Sequence, residues 1–409
     1  MVSEHKSAGV FYGWFVVAAC FAITLTLGET FWSFGVFFKS LENEFGWSRS
    51  LVSSGYTAFL VGHAVSLVAS GRLVDRYSPR PFIVASALIA GAGISLCRQI
   101  ESVSQFRLFL FVAGVGAGPT WSVPNSTVMR WFYGRPRAGL ALAIVTAGVG
   151  VGALVFAPLI NYFIERFGWR DAFLYVGILF FIILGISSLV IRGSPPAAAS
   201  VSGHGPQVLG RQNTQRPKVR KLLVAPAFIG ITFIMAVAIL VFHALSVHLT
   251  PHATDVGLSR ATAAAALGLI GGFSIPGRIV SGVISDRIGW QRTLAVGLLG
   301  MALSVIWLLV LHDTWMIYCF ALTYGVCHGV RIPAQLGILS QFFGAASLGQ
   351  LIGVSTAVGQ LAGAFAPSLA GFLYDTMGSY VVVFFIMIAA LLGASLAAVR
   401  MKGERELVY

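Results

Sequence analysis

Very few ionisable side chains interrupt the long apolar stretches of this 409-residue sequence. A charged group surrounded by hydrocarbon costs several kcal/mol unless it is paired or hydrated, so each one is a candidate for binding or proton transfer. One acid, two arginines and four histidines meet this description: Glu29, Arg278, Arg331, His63, His243, His248 and His328. The chemistry open to them is anion binding by the guanidinium groups and proton exchange by the carboxyl and imidazole groups.

Arg278 is the strongest candidate for binding an anion. It closes the segment Gly271–Arg278, in which Pro276 lacks an N–H and frees the carbonyl of Gly272. The pattern predicts an interrupted helix beside a charged side chain, an arrangement that transporters use for substrate sites. Because a guanidinium binds a carboxylate through two parallel hydrogen bonds, we predict that Arg278 binds a carboxylate. The alternative is a structural ion pair with a carboxylate of another helix.

Glu29 and His248 are the candidates for proton exchange. A carboxyl group removed from water binds a proton more readily than one in water, so Glu29 could exchange protons near neutral pH. The alternative is a hydrated glutamate that only shapes the local field. His248, near the outer end of its apolar stretch, titrates in a suitable range, and its neutral ring could also bind a substrate hydroxyl or carboxylate. The alternative for His248 is an interfacial histidine whose ring is hydrogen-bonded. We interpret His243 and His63 as packing or hydrogen-bonding residues between helices.

Arg331 and two aromatic residues complete the predicted site. Arg331 is either a second anion contact or part of a cytoplasmic gate, and its depth near the inner boundary favours the gate. Trp121 holds the corresponding position in the fourth apolar stretch. We predict that Trp121 and Tyr324 form walls of an apolar pocket around a short acyl chain, although aromatic residues are as common in a packed core.

The composition places these residues in a membrane protein. Apolar residues make up 57% of the chain and charged residues 10%, against about 45–50% and about 25% in soluble domains. This balance excludes an ordinary cytosolic enzyme, a disordered chain and a disulfide-stapled secreted scaffold. A helix crosses the hydrocarbon with about 20 apolar residues. The pattern predicts an all-α protein with twelve spans, at 12–38, 51–72, 81–99, 105–131, 138–164, 171–191, 224–250, 260–285, 292–311, 314–342, 349–374 and 378–399.

A polar stretch rich in Pro, Arg and Lys separates the sixth and seventh spans. It predicts an N-terminal six-helix bundle at 1–192, a cytoplasmic linker at 193–222 and a C-terminal six-helix bundle at 223–409. If the linker and both termini are cytoplasmic, most of the 27 Lys and Arg residues lie on that side, as the positive-inside rule requires. The net charge of +13 is therefore explained by insertion in the plasma (inner) membrane, without nucleic acid.

The two halves share sequence markers. Gly71–Arg76 recurs as Gly282–Arg287, and Ala157-Pro158 recurs as Ala366-Pro367 at nearly the same offset. Duplicated halves around a central cavity are typical of secondary transporters. Arginine-rich loops with one aspartate at a helix end favour ion pairs between helices that separate and rejoin. This gating and structural role is assigned to Asp75, Arg76, Asp286 and Arg287.

The loop pattern G-x-L-x-D-R-x-x-x-R at Gly71–Arg80, with a partial copy at Gly282–Arg292, resembles the signature of the major facilitator superfamily. Further segments resemble the monocarboxylate porter family within it. They are Tyr12-Gly-Trp-Phe-Val-Val, Gly35-Val-Phe-Phe-Lys, Arg130-Trp-Phe, Arg137-Ala-Gly-Leu-Ala, Phe167-Gly-Trp-Arg-Asp-Ala-Phe, the run from His248 to Ser259 and Pro276-Gly-Arg-Ile-Val-Ser-Gly. The resemblance covers nearly the whole chain outside the linker.

The resemblance implies two pseudo-symmetric six-helix bundles around a central cavity, with Arg278 on the substrate carboxylate. The sequence departs from the family's animal members at two positions. In those members a lysine of the first span lies near the position that Trp32 holds here. An aspartate of their eighth span lies at the position that Ser274 holds here. The proton relay that the family suggests is therefore not transferred intact.

These observations predict a proton-coupled carrier for small monocarboxylates such as lactate or pyruvate, working by alternating access as a monomer. An exchanger or exporter of other organic anions, with two carboxylates held by Arg278 and Arg331, stays open. No catalytic motif, cofactor motif or metal-ligand spacing supports an enzyme. The linker is too small to be the output domain of a receptor.

Overall fold

The computed structural model describes residues 11–73, 77–132, 137–193, 222–343 and 348–401. Within these ranges the chain forms α-helices, one short 3-10 turn at Cys97–Gln99 and no β-strand. The helices are α1 Gly13–Trp32, α2 Phe34–Phe45, α3 Arg49–Leu73, α4 Pro79–Leu96, α5 Val103–Ala117, α6 Pro119–Trp131, α7 Ala138–Phe167, α8 Trp169–Val190, α9 Pro226–Asp255, α10 Arg260–Ile288, α11 Trp290–Leu309, α12 Thr314–Phe343, α13 Leu348–Ala364, α14 Ala366–Met377 and α15 Val381–Arg400.

Each predicted apolar stretch coincides with one helix or with two consecutive helices, so the prediction of an all-helical membrane protein is confirmed. Among the described residues, 11 helical stretches are long and apolar enough to cross a membrane. The predicted span that falls short is α12, which is 30 residues long but includes the polar residues Tyr324, His328, Arg331 and Gln335 in its middle part. Most of the linker, at 194–221, lies outside the described residues, as do Asp75 and Arg76.

Three spans are divided into two helices, at Ser33, Gly118 and Phe365. Prolines at the first turn of α6 and of α14 mark two of these divisions, because a proline there removes an N–H that the helix does not need. The interruption predicted at Pro276 is wrong, since α10 runs without a break from Arg260 to Ile288. Close packing explains this continuity: a Cβ atom on Gly277 would lie 2.2 Å from the carbonyl oxygen of Val326 on α12. Neighbouring helices in a membrane commonly hold such a proline in helical geometry.

The main contacts between the two halves of the chain involve four pairs of helices. Helix α7 packs against α10, α3 packs against α13 and α14, and α2 packs against α9. The first contact is very close, because a Cβ atom on Gly150 would lie 2.6 Å from the carbonyl oxygen of Gly271. Large apolar side chains such as Leu189 and Phe233 remain exposed on the perimeter, as expected for surfaces that face lipid.

Candidate substrate site between the two halves

Arg278 lies at the contact between α10 and α7. Its Nη1 donates a hydrogen bond of 2.7 Å to the carbonyl oxygen of Thr146, while its Nε has no partner among the described residues. No carboxylate of the described chain lies within ion-pair distance of this guanidinium. The structural ion pair considered as an alternative is therefore absent from the described residues, and the guanidinium keeps donors free for an anion.

Helix α7 ties Arg278 to the first span. The carbonyl of Val145 accepts a hydrogen bond of 2.5 Å from the hydroxyl of Thr24 on α1, and the next carbonyl, of Thr146, holds Arg278. Further along the same helices, a Cβ atom on Gly28 would lie 2.1 Å from the carbonyl oxygen of Val149. Helix α7 is thus in direct contact with both α1 and α10.

Four polar side chains follow one face of α12, and we call them the α12 polar stripe: Tyr324, His328, Arg331 and Gln335. All four are buried, and each has a polar atom without a hydrogen-bond partner among the described residues. The one hydrogen bond within the stripe runs from Arg331 Nη1 to Gln335 Oε1, at 2.8 Å. Nearly all buried polar atoms in native proteins have partners, so this stripe departs from the usual pattern.

The α12 polar stripe faces the N-terminal half. The ring of Trp32 on α1 lies 5.9 Å from the ring of His328 and 4.6 Å from that of Phe242 on α9. Phe242 stacks on His328 at 5.1 Å, and His328 stacks on Tyr324 at 6.1 Å. Arg278 follows Gly277 on α10, and a Cβ atom on Gly277 would lie 3.1 Å from the Cα atom of Gly329 on α12. The structure therefore places Arg278 and the α12 polar stripe on two helices that are in direct contact.

Glu29 lies apart from this cluster. Its side chain is 6% exposed and borders a cavity of about 30 Å³ inside the N-terminal half. Aromatic residues of three helices, α2, α3 and α8, form much of the cavity wall: Phe34, Phe37, Tyr56, Phe59 and Phe173. One carboxyl oxygen of Glu29 has no hydrogen-bond partner, and the residue makes no ion pair with any described side chain. A cavity of this size has room for about one water molecule.

Two other histidines lie near this region. His243 bridges the halves, because its Nε2 lies 2.8 Å from Gln360 Oε1 and its Nδ1 lies 3.3 Å from the hydroxyl of Tyr56. His63 packs among aromatic rings, and neither of its ring nitrogens has a partner in the described chain.

A cluster of ion pairs joins the halves at the end of α9 that is farthest from the linker. With 30 residues, α9 places Asp255 about 45 Å from the point where the linker attaches. Asp255 accepts from Lys39 at 2.7 Å and from Arg49 at 2.6 Å, and Arg49 also bonds Glu42. We call Lys39, Glu42, Arg49 and Asp255 the distal ion cluster. It crosses from α2 and α3 to α9, so this side of the structure is closed.

His248 belongs to the distal side and not to the site around Arg278. Its Nε2 lies 2.8 Å from the carbonyl oxygen of Pro367, which can only accept, so Nε2 carries the hydrogen. Its Nδ1 lies 2.8 Å from the hydroxyl of Tyr380, and that hydroxyl accepts from Arg49 at 2.8 Å. When the ring is neutral, Nδ1 accepts the hydroxyl hydrogen of Tyr380, so His248 and Tyr380 form a hydrogen-bond chain that leads to the distal ion cluster.

The other predicted site residues are dispersed. Trp121 is half-buried on α6 and makes no ring contact with Tyr324 among the described residues. Asp286 and Arg287 are exposed at the end of α10, and neither makes an ion pair with another described residue. The distal ion cluster was not predicted as a site, because its members lie where the sequence predicts membrane boundaries and loops. Polar residues at spacings of four, three and four along the tenth span were the available signal for the α12 polar stripe.

The comparisons with known proteins agree with this architecture. The family model described as Major Facilitator Superfamily matches residues 14–367 and 291–407. Human monocarboxylate transporter 11 is 28% identical over 403 residues, covering 94% of this chain and 82% of the relative. Rat monocarboxylate transporter 13 is 24% identical over 390 residues, covering 94% of this chain and 87% of the relative.

Solved structures resemble the fold at low sequence identity. The D-xylose-proton symporter aligns with a TM-score of 0.76 and 16% identity, over 96% of this chain and 99% of that one. A bacterial homologue of the human lysosomal transporter Spinster, in an inward-facing and unoccupied conformation, aligns with a TM-score of 0.73 and 16% identity, over 96% and 94%. Because the family model matches most of the chain and the helices adopt the same fold, this multi-pass membrane protein belongs to the major facilitator superfamily of transporters.

Proposed function

We propose that this protein carries small monocarboxylates of the lactate and pyruvate type across the plasma membrane together with protons, by alternating access. The observation that carries the proposal is Arg278, a guanidinium at the contact between the halves with free donors and no carboxylate partner among the described residues. The names of the relatives, monocarboxylate transporters 11 and 13, support the same substrate class. Residues 1–192 and 223–409 act as the two moving units, with both termini and the linker in the cytoplasm.

The test is uptake into proteoliposomes that contain only the purified protein. Labelled lactate or pyruvate is expected to accumulate when the outside is made more acidic than the lumen, and to equilibrate slowly without that gradient. Equal uptake with and without the pH gradient would contradict proton coupling. A lack of uptake for every carboxylate tested, from protein that binds none of them, would contradict the substrate class.

Glu29 is the proposed proton carrier. Burying an unpaired, ionised carboxylate in apolar surroundings costs free energy. Protonation neutralises the group and removes most of that cost. Direct charge balance between Glu29 and Arg278 is not supported by their positions, since Glu29 borders a cavity inside the N-terminal half. We propose instead that the coupling passes through α7, whose consecutive carbonyls hold Thr24 on α1 and Arg278 on α10.

His248 is the alternative proton carrier. A second proton would occupy Nδ1, which in the neutral ring accepts the hydroxyl hydrogen of Tyr380. The hydroxyl hydrogen of Tyr380 would then lose its acceptor on His248. The positive charge of the protonated His248 ring would lie on one side of Tyr380, with Arg49 on the other. This route would couple protonation to the distal ion cluster without involving Glu29.

The distal ion cluster must separate when this side opens. Asp255→Asn removes the charge that holds Lys39 and Arg49 across the halves. Because these side chains are partly exposed, we expect a loss of about 1–2 kcal/mol, or roughly a 5- to 30-fold shift towards the state open on this side. Spin labels at Glu101→Cys and Asp313→Cys, with the native cysteines replaced by serine, would report the population of longer distances.

Asp171→Asn is the matched control, because Asp171 pairs with Arg98 within the N-terminal half at 3.3 Å. It removes the same charge without crossing the halves and is expected to leave the distances unchanged. Equal distance distributions in wild type and Asp255→Asn would show that the distal ion cluster does not hold this side closed.

A second candidate function is transport of organic dianions. It is favoured by the direct contact between the helices that carry Arg278 and Arg331 and by the absence of a described carboxylate paired with either arginine. Competition against labelled lactate separates the two functions. We expect short monocarboxylates such as pyruvate to inhibit uptake more strongly than succinate or oxalate. Stronger accumulation of succinate or oxalate than of lactate would favour the dianion exchanger.

A further inference from the structure

The α12 polar stripe provides more hydrogen-bond donors than one carboxylate on Arg278 needs. The atoms without partners in the described chain include Arg331 Nε, the Tyr324 hydroxyl, His328 Nδ1 and Gln335 Nε2. Arg331 Nε and the amide nitrogen of Gln335 can only donate, and the hydroxyl can also donate. Such a surface is complementary to oxygen acceptors. It is also positively charged, because no described acid pairs with Arg331.

The position of the stripe fits a ligand rather than a helix contact. Arg331 is 4% exposed, and its one described hydrogen bond goes to Gln335, four residues along its own helix. Arg331 makes no hydrogen bond or ion pair across the two halves with a described residue. The side of the stripe that faces the N-terminal half is instead walled by Trp32 and Phe242.

We infer that Arg331, together with Tyr324 and His328, binds a second oxygen-bearing group of the carboxylate substrate and thereby determines which carboxylates are carried. This inference rests on the proposed function, in which Arg278 holds the first carboxylate. The second group is a hydroxyl, an oxo group or a second carboxylate, all of which present oxygen acceptors. An unsubstituted acyl chain would leave the buried donors of the stripe unsatisfied, and such groups cost the complex stability.

Four three-carbon acids test the inference, because they share one carboxylate and differ in the oxygen group on the rest of the chain. Propionate has none, lactate has a hydroxyl, pyruvate has an oxo group, and malonate has a second carboxylate in place of the methyl group. Isothermal titration calorimetry on the purified protein would give the dissociation constant of each acid. In wild type, at least one substituted acid is expected to bind about tenfold or more tightly than propionate. In Arg331→Gln this preference is expected to disappear, while the affinity for propionate changes by less than about threefold.

Two further variants keep the result interpretable. Arg331→Lys retains the charge and is expected to retain part of the preference, which shows that the site still folds. Arg292→Gln removes an exposed arginine at the start of α11 and is expected to leave all four affinities unchanged. Thermal unfolding of each purified variant, followed by size-exclusion chromatography, checks that the helices remain assembled.

The pattern of affinities decides among the outcomes. Tightest binding of malonate assigns the second group as a carboxylate, and tightest binding of lactate or pyruvate assigns a neutral oxygen; both support the inference. Equal binding of all four acids in wild type, or an equal loss for all four in Arg331→Gln, overturns it and leaves Arg278 in its role. Absence of binding by every acid overturns the proposed function and the inference together.

Discussion

Replacing Arg278 with lysine is expected to lower carboxylate transport by about 100-fold or more, although the positive charge is kept. The ammonium group cannot reproduce the two parallel bonds to a carboxylate, and it also loses the anchor on the Thr146 carbonyl. Hydrogen bonds to charged groups are worth about 1.5–3 kcal/mol each, and about 1.4 kcal/mol corresponds to a factor of ten. Initial rates of labelled lactate uptake into proteoliposomes would measure the loss.

Arg292→Lys is the matched control for this substitution. Arg292 is an exposed arginine at the start of α11, with no ion pair to a described residue. Its replacement is expected to leave the rate unchanged. Wild-type affinity and rate in Arg278→Lys would remove Arg278 from the substrate site and would leave the proposal without the observation that carries it.

Replacing Glu29 with glutamine is expected to abolish accumulation driven by a pH gradient while preserving exchange of substrate for substrate. Glutamine has nearly the shape of a protonated glutamate, so the packing around the cavity beside Glu29 should survive. A carrier fixed in the protonated form can move loaded in both directions, but it cannot release the proton that completes the cycle. Accumulation of labelled lactate under an inward proton gradient is expected to fall to the equilibrium level. Counterflow into substrate-loaded vesicles is expected to stay within about threefold of wild type.

Glu101→Gln serves as the control, because Glu101 is an exposed glutamate of the same half. It should change neither accumulation nor counterflow. If Glu29→Gln accumulates lactate as wild type does, the coupling group lies elsewhere, and His248 becomes the next residue to test. His248→Gln would then be expected to lose accumulation, because it removes the ring nitrogen that accepts from Tyr380.

The spans could be predicted from the sequence because their signal is local. In hydrocarbon every backbone N–H and C=O must be bonded within its own segment, so a long apolar stretch has no alternative to a helix. The predicted stretches therefore coincide with helices, including the divided ones. The broken helix at Pro276 was a wrong prediction, because local proline chemistry was outweighed by the close contact of Gly277 with α12.

The cost of charge in a membrane likewise singled out Arg278, Arg331 and Glu29 from the sequence alone, since that cost depends on residue type and depth. Which of them meet was decided by the tertiary structure. Arg278 and Arg331 lie on two helices in direct contact, whereas Glu29 lies against a separate cavity and His248 lies with the distal ion cluster. Hydropathy gives the depth of a residue but not the face of the helix on which it lies, and partners separated by hundreds of residues come together only when the helices pack. The bond between Arg49 and Tyr380, 331 positions apart, therefore has no counterpart in any pattern of the sequence.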